Sequence, residues 1–239
     1  MHLVPLRLLL FCCLASCTLV RAQQTYFNVP SSDVVERGKL AVQQQLNIAE
    51  SIRSNTTVNY GLGHEFEIGL NLNNLTYQPH AGGFAHNDST YEESYSPLLM
   101  VNAQKAIDLS ETIELAAGFQ AGANLTPAAR TRFAGYGYAH VAGSLLDEHY
   151  KWSAGGYAGT LPYLGSGSSV GFQTGFDAGI FYQKFHLLGD WISGTHSQGQ
   201  LTLGIEVYLA RHVPIALGWQ RMNADGSQAL TVQFTYTPN

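Results

Sequence analysis

The sequence predicts an all-β fold, a closed antiparallel up-and-down transmembrane β-barrel of about twelve strands, and three observations carry that prediction. First, Gln200 to Leu209 reads QLTLGIEVYL, with Leu201, Leu203, Ile205, Val207 and Leu209 on one face and Gln200, Thr202, Gly204, Glu206 and Tyr208 on the other. A period of two over such a length is a strand between two different environments, and about ten tilted residues cross a bilayer's hydrocarbon core. Second, charged residues are only 12% of the 239, while Gly (25) and Tyr (13) are abundant, as suits a sheet with one face in lipid. Third, the alternation recurs along the chain, and the connections alternate between short and long. That alternation matches short periplasmic turns and longer outer loops, with both termini periplasmic.

The N-terminus comes first and is of a different kind. Arg7 precedes an apolar run from Leu8 to Val20, and Val20-Arg21-Ala22 offers a signal-peptidase site before Gln23, so residues 1–22 are expected to be removed on export. Leu14-Ala15-Ser16-Cys17 also resembles a lipobox, which would leave Cys17 lipidated instead. Cys12, Cys13 and Cys17 are the three cysteines, so a chain cut after Ala22 has neither disulfides nor thiolate metal sites. Residues 23–37 lack a period and carry Pro30; they are expected as a periplasmic lead-in that tucks against or into a barrel formed by residues 38–239.

The first strand is expected from Lys39 to Ala49, the second from Asn55 to Leu62, and the third from Glu65 to Leu72. In the third, Phe66, Ile68, Leu70 and Leu72 alternate with Glu65, Glu67, Gly69 and Asn71. Asn73 to Glu93 has no period and reads as the longest loop. Further strands are expected at Tyr95 to Ala106, Thr112 to Ala123, Arg132 to Ser144, Tyr150 to Thr160, Ser169 to Ile180 and Phe185 to Ser193. Of these, Arg132 to Ser144 and Tyr150 to Thr160 are so rich in Gly and Tyr that their lipid face is ambiguous, and ten strands is the alternative count if such a pair is misread. Gln200 to Leu209, Val213 to Arg221 and Gln228 to Thr237 complete the twelve. Pro214 marks a bend, a bulge or a first turn in its strand.

The segment Phe27-Asn28-Val29-Pro30-Ser31-Ser32, with Gly38-Lys39 and Gln43-Gln44-Gln45-Leu46-Asn47, resembles the start of porin-like bacterial outer-membrane β-barrel proteins of an uncharacterised kind. The resemblance covers essentially the whole chain after the signal, and it implies the outer-membrane bilayer and the barrel-assembly machinery as partners. Such proteins often end on an aromatic residue that the machinery recognises. Here Phe234 and Tyr236 are followed by Thr237-Pro238-Asn239.

The apolar parity assigns Phe66, Ile68, Leu70, Phe172, Phe176, Leu203, Ile205, Val207, Leu217, Val232 and Phe234 to lipid. The opposite parity places Glu65, Glu67, Glu114, Asp177 and Glu206 along a pore, since a carboxylate facing hydrocarbon is costly. Grouped acids favour cations, so the function expected is a passive pore for ions or small solutes with weak cation preference. A non-conducting structural or surface-binding barrel, its acids paired with Lys151, His140, His186 or Arg132, is the alternative.

A barrel-embedded lipid-modifying enzyme is a third. It needs a Ser/His pair, and His140 with Ser144 or His149 with Ser153, four apart on a strand, would stand roughly 13 Å apart. No enzyme activity, cofactor or metal is expected; His80, His86, Asp88, Glu92 and Glu93 share a loop but match no recognised spacing. A net charge of −5 with no basic, aromatic-interleaved patch points away from nucleic acid. Trp219 shares the parity of Val213, Ile215 and Leu217 and is expected in an interfacial girdle, while Trp152 and Trp191 suit either a girdle or packing.

Overall fold

The computed structural model describes residues 26–126, 132–146, 148–181, 184–210 and 212–237. The cleavage site at Ala22, Cys17 and the terminal Pro238-Asn239 lie outside the described residues. The strands are β1 (Leu40–Ile48), β2 (Ile52–Gly61), β3 (Phe66–Gln78), β4 (Gly83–Ala85), β5 (Leu98–Asp108), β6 (Ile113–Asn124), β7 (Phe133–Leu145), β8 (Tyr150–Gly159), β9 (Val170–Phe181), β10 (Phe185–Ile192), β11 (Gln200–Ala210), β12 (Val213–Met222) and β13 (Gln228–Tyr236). A helical turn, α1 (Leu161–Leu164), lies between β8 and β9.

Sequential strands pair antiparallel from β5 to β13, β13 pairs with β1, β1 with β2, β2 with β3, and β3 with β5. The ring of twelve is therefore closed, as the sequence predicts, and β4 stands outside it as a hairpin on the end of β3. Closure pairs both edges of every barrel strand, which a sheet needs where no water can satisfy its backbone.

The period-two pattern becomes two faces. On β11, Leu203, Ile205 and Val207 are exposed on the outside, while Gln200, Thr202 and Glu206 are buried inside. The Gly- and Tyr-rich strands resolve the same way. Tyr136, Tyr138 and His140 of β7 and Ser153 and Tyr157 of β8 turn inward, leaving Phe133, Val141, Leu145 and Trp152 outside. Pro214 sits opposite a register shift between Tyr208 and Ala210, so the bulge is on the partner strand.

β2 starts at Ile52, three residues before Asn55, and three further differences lie around the expected long loop. β3 runs six residues beyond Leu72, because Asn74 adopts φ 60° and shifts the register against β2. That bulge reverses the parity, so the alternation breaks in the sequence although the strand continues. β4 forms inside the expected loop by pairing Tyr77 with Phe84, a hairpin too short to show a period. β5 starts at Leu98, not Tyr95; Tyr95 instead packs with Leu98, Met100 and Ala134 under the loops of the wide-connection end.

Candidate functional site: a lumen occupied by the N-terminal segment

Residues 26–37 lie in the lumen, held by side chains of the barrel's inner face. Three consecutive backbone N–H groups, of Phe27, Asn28 and Val29, donate to Asp190 Oδ2 on β10, at 2.9 Å for Phe27 and Val29. Converging N–H groups of this kind form a natural cradle for an anion. Asn28 Nδ2 also reaches Asp190 Oδ1 at 3.2 Å and Thr202 Oγ1 at 2.9 Å, and Gln45 Nε2 on β1 donates to Asn28 Oδ1 at 2.9 Å. Further along, Gln104 Nε2 donates to Ser31 O at 2.9 Å, Lys151 Nζ pairs with Asp33 at 3.1 Å, and Val35 N donates to Glu67 Oε2 at 2.8 Å. Arg37 bridges to Gly61 at the short-turn end, where the chain enters β1. Partners on β1, β3, β5, β8, β10 and β11 surround the segment.

Apolar anchors complete the seat. Tyr26 and Val29 pack with Tyr136, Tyr157, Leu164 and Ile192, Phe27 with Leu188 and Ala216, and Val34 with Ala106 and Ala116. Burying each such side chain contributes about 1.5–3 kcal/mol. Glycine makes the room: a Cβ on Gly175 would stand 2.2 Å from the Tyr26 ring, and one on Gly204 would stand 2.7 Å from the Phe27 ring.

The five acids expected along a pore meet different fates. Glu67, Asp177 and Glu206 are buried inside the barrel near its short-turn end, and Glu114 faces inward at the same end. Glu65 does not lie on β3; it sits in the β2–β3 turn with φ 54°, because the tight turn takes up the first residue of the expected alternation. Glu67 accepts from Asn59 Nδ2 at 2.8 Å as well as from Val35 N. Asp177 pairs with His186 Nδ1 at 2.7 Å, and Glu114 lines a small cavity with Asp33, Glu148 and Lys151. Glu67 is thus held by the segment and by β2, and Asp177 by β10.

Asp190, the principal anchor of the segment, is absent from that set. In Phe185–Ile192 the inner parity carries Leu188 and Ile192 beside His186 and Asp190, so apolar residues occur on both faces and no clean period marks the carboxylate. Those inner apolar residues contact the segment, Leu188 through Phe27 and Ile192 through Val29. A break in alternation on an otherwise clear strand is the signal that finds this position.

All eleven residues of the apolar parity stand on the outer face, from half-buried Phe66 and Val232 to Phe172 at 69% exposed. Trp152, Trp191 and Trp219 join them there. Of the Ser/His pairs, His140 and Ser153 are buried inside and His149 lies in the β7–β8 turn. Among the described residues no three His, Cys, Asp or Glu side chains gather as a metal would require.

The wide-connection end is covered. Tyr95 N donates to Pro162 O at 2.8 Å, Ser197 N to Leu164 O at 2.8 Å, and Ser94 N to Ser197 Oγ at 3.0 Å, stitching three loops across the mouth. Tyr163 of α1 reaches down to Tyr136, ring centroids 5.0 Å apart, and is hydrogen-bonded by Gln120; burial pushes its hydroxyl up to about 12, so it stays neutral. His196 is buried beside Tyr157, with its Nε2 2.5 Å from the tyrosine hydroxyl, and desolvation lowers its affinity for a proton.

Between the segment and the wall of β1, β2, β3, β5 and β6 two cavities remain, of about 110 and 70 Å³, sharing Pro30, Thr57, Asn71 and Gln120 in their linings. The first extends to Tyr163 and Gln198 under the outer loops, and the second to Glu67 and Gln104 toward the short turns.

No family model and no curated protein matches the chain. Among solved structures it is similar to a KdgM porin in complex with disordered oligogalacturonate, at TM-score 0.59 and 7% identity over 83% of this chain and 99% of that one. It is similar also to a KdgM porin alone, at TM-score 0.57 and 6% identity over 83% and 99%. A NanC porin aligns at TM-score 0.58 and 8% identity over 84% of this chain and 99% of that one. At such identities the likeness is one of fold: like those porins, the chain is a closed, antiparallel, twelve-stranded β-barrel.

Proposed function

We propose that the protein is a passive channel for small polar solutes in the bacterial outer membrane, exported with loss of residues 1–22 and narrowed by its own N-terminal segment. The observation that carries this is the seam of two adjoining polar cavities beside residues 26–37, running from beneath the outer loops toward the short-turn end of a closed barrel. In this reading the apolar parity, Phe66 to Phe234, meets lipid, Trp191 and Trp219 mark the outer interface, and the barrel-assembly machinery inserts the chain. Glu67, Glu114, Asp177 and Glu206 line the inner end, and because they outnumber Lys151 and His186 the ions that pass are weakly selected for positive charge.

A filled lumen favours a second reading, a non-conducting barrel that presents its outer loops to a partner. The deciding experiment is single-channel conductance of the refolded chain in a planar bilayer, with the reversal potential in asymmetric salt, beside a Glu67→Gln/Glu206→Gln variant. Steady current whose cation preference weakens in the variant supports the channel. No current from a folded, heat-modifiable barrel, in either protein, supports the second reading. Embedded lipid chemistry ranks third; lipid turnover abolished by one Ser or His substitution would raise it.

A further inference from the structure

We infer that the larger of the two cavities beside the N-terminal segment binds uncharged, polyhydroxylated solutes of about monosaccharide size, with Gln120 at the centre of the site. This deepens the channel proposal and rests on it for solute flux, but not for binding. The larger cavity is walled by amides: Gln43, Gln45, Asn55, Asn71, Asn73 and Gln120 all face it. Among its lining residues none is a carboxylate, a lysine, an arginine or a histidine. An ion entering would lose hydration without meeting an opposite charge, which is costly away from bulk water. A hydroxyl both donates and accepts, and so does an amide.

Gln120 organises the wall. Its Oε1 accepts from Asn71 Nδ2 at 2.7 Å and from Asn73 Nδ2 at 3.1 Å, while Asn71 Oδ1 accepts from Asn102 Nδ2 at 2.6 Å. Each amide offers two N–H donors and a carbonyl with two lone pairs, more than these bonds use. Opposite the amides, Tyr136 and Tyr163 present tilted rings 5.0 Å apart. Their faces give the C–H surface of a polyol an apolar contact, while burial keeps the Tyr163 hydroxyl, hydrogen-bonded by Gln120, as a neutral partner. At about 110 Å³ the space holds several waters, and a compact polyol that replaces them recovers their hydrogen bonds.

The test uses the full chain refolded in micelles and in liposomes, with three probes of similar size: mannitol (uncharged), gluconate (anionic) and glucosamine (cationic). Saturation-transfer NMR on the micellar barrel is expected to show mannitol bound and displaced by neither charged probe. Binding should fall at least tenfold in Asn71→Leu/Gln120→Leu, with heat-modifiable migration retained. Gln120→Glu, close in shape, should instead bring glucosamine into the site, which keeps the test decisive if the double variant does not fold. Charged probes bound as well as mannitol, or mannitol binding indifferent to both variants, overturns the inference. Liposome swelling separates the two proposals. Mannitol bound without swelling by any probe refutes the channel and leaves the site standing, whereas equal swelling by all three with no mannitol binding refutes the site and leaves the channel.

Discussion

Replacing Asp190 by Ala removes the acceptor that three consecutive backbone N–H groups of the luminal segment share. Leaving a buried donor without its acceptor costs about 1–3 kcal/mol, and bonds to a charged oxygen lie toward the stronger end. Taking the low end for Phe27, Asn28 and Val29 gives about 3 kcal/mol, roughly a hundredfold in the ratio of seated to unseated segment. The apolar anchors Tyr26, Phe27 and Val29 remain, at about 1.5–3 kcal/mol each, so the segment stays mostly seated but leaves more often. Hydrogen–deuterium exchange of peptides spanning 26–37 is the assay, with exchange of the β6–β7 hairpin as the internal control for barrel integrity. The expected result is roughly hundredfold faster exchange in the segment and unchanged exchange in the control, with a higher open probability in the bilayer. Unchanged protection of 26–37 in the variant would refute the claim that Asp190 anchors it.

Ile205→Arg places a charge on the outer face at mid-strand and should cost about 2–4 kcal/mol near the bilayer midplane. Gln43→Arg, facing the luminal cavity, should leave folded membrane yield near wild type, and equal yields for the two would reverse the assignment of faces. Gly175→Leu drives a side chain into the Tyr26 ring, since even a Cβ would stand 2.2 Å from it. Overpacking of that kind costs about 1–3 kcal/mol, so the variant should expose residues 26–29 to exchange while its barrel stays heat-modifiable. His196, buried under the outer loops, has its proton affinity lowered below the ordinary 6.5. The unseated loop therefore binds a proton at higher pH than the seated one. The seated loops are fully stable above about 6.5 and weaken as pH falls through that value toward the lowered one, by at most ~1.4 kcal/mol per unit. Exchange of 193–199 should rise between pH 7.5 and 5, and His196→Gln should flatten that dependence.

The sequence by itself determined the barrel, because period-two alternation is a local property: each residue's face follows from its neighbour's, and twelve such runs with alternating short and long connections leave one closed arrangement. It was legible at Gln200 to Leu209 but ambiguous at the Gly- and Tyr-rich strands, where only their pairing set which Tyr residues turn inward. It was not legible at Asn74, where a bulge reverses parity inside a continuing strand. Only the tertiary structure decided what fills the lumen. The bond from Phe27 to Asp190 spans 163 residues, and that from Gln104 to Ser31 spans 73. No local pattern encodes such contacts. They exist because closing the ring brings the strands of the wall around one extended segment, whose unpaired backbone N–H groups must then find acceptors on the wall.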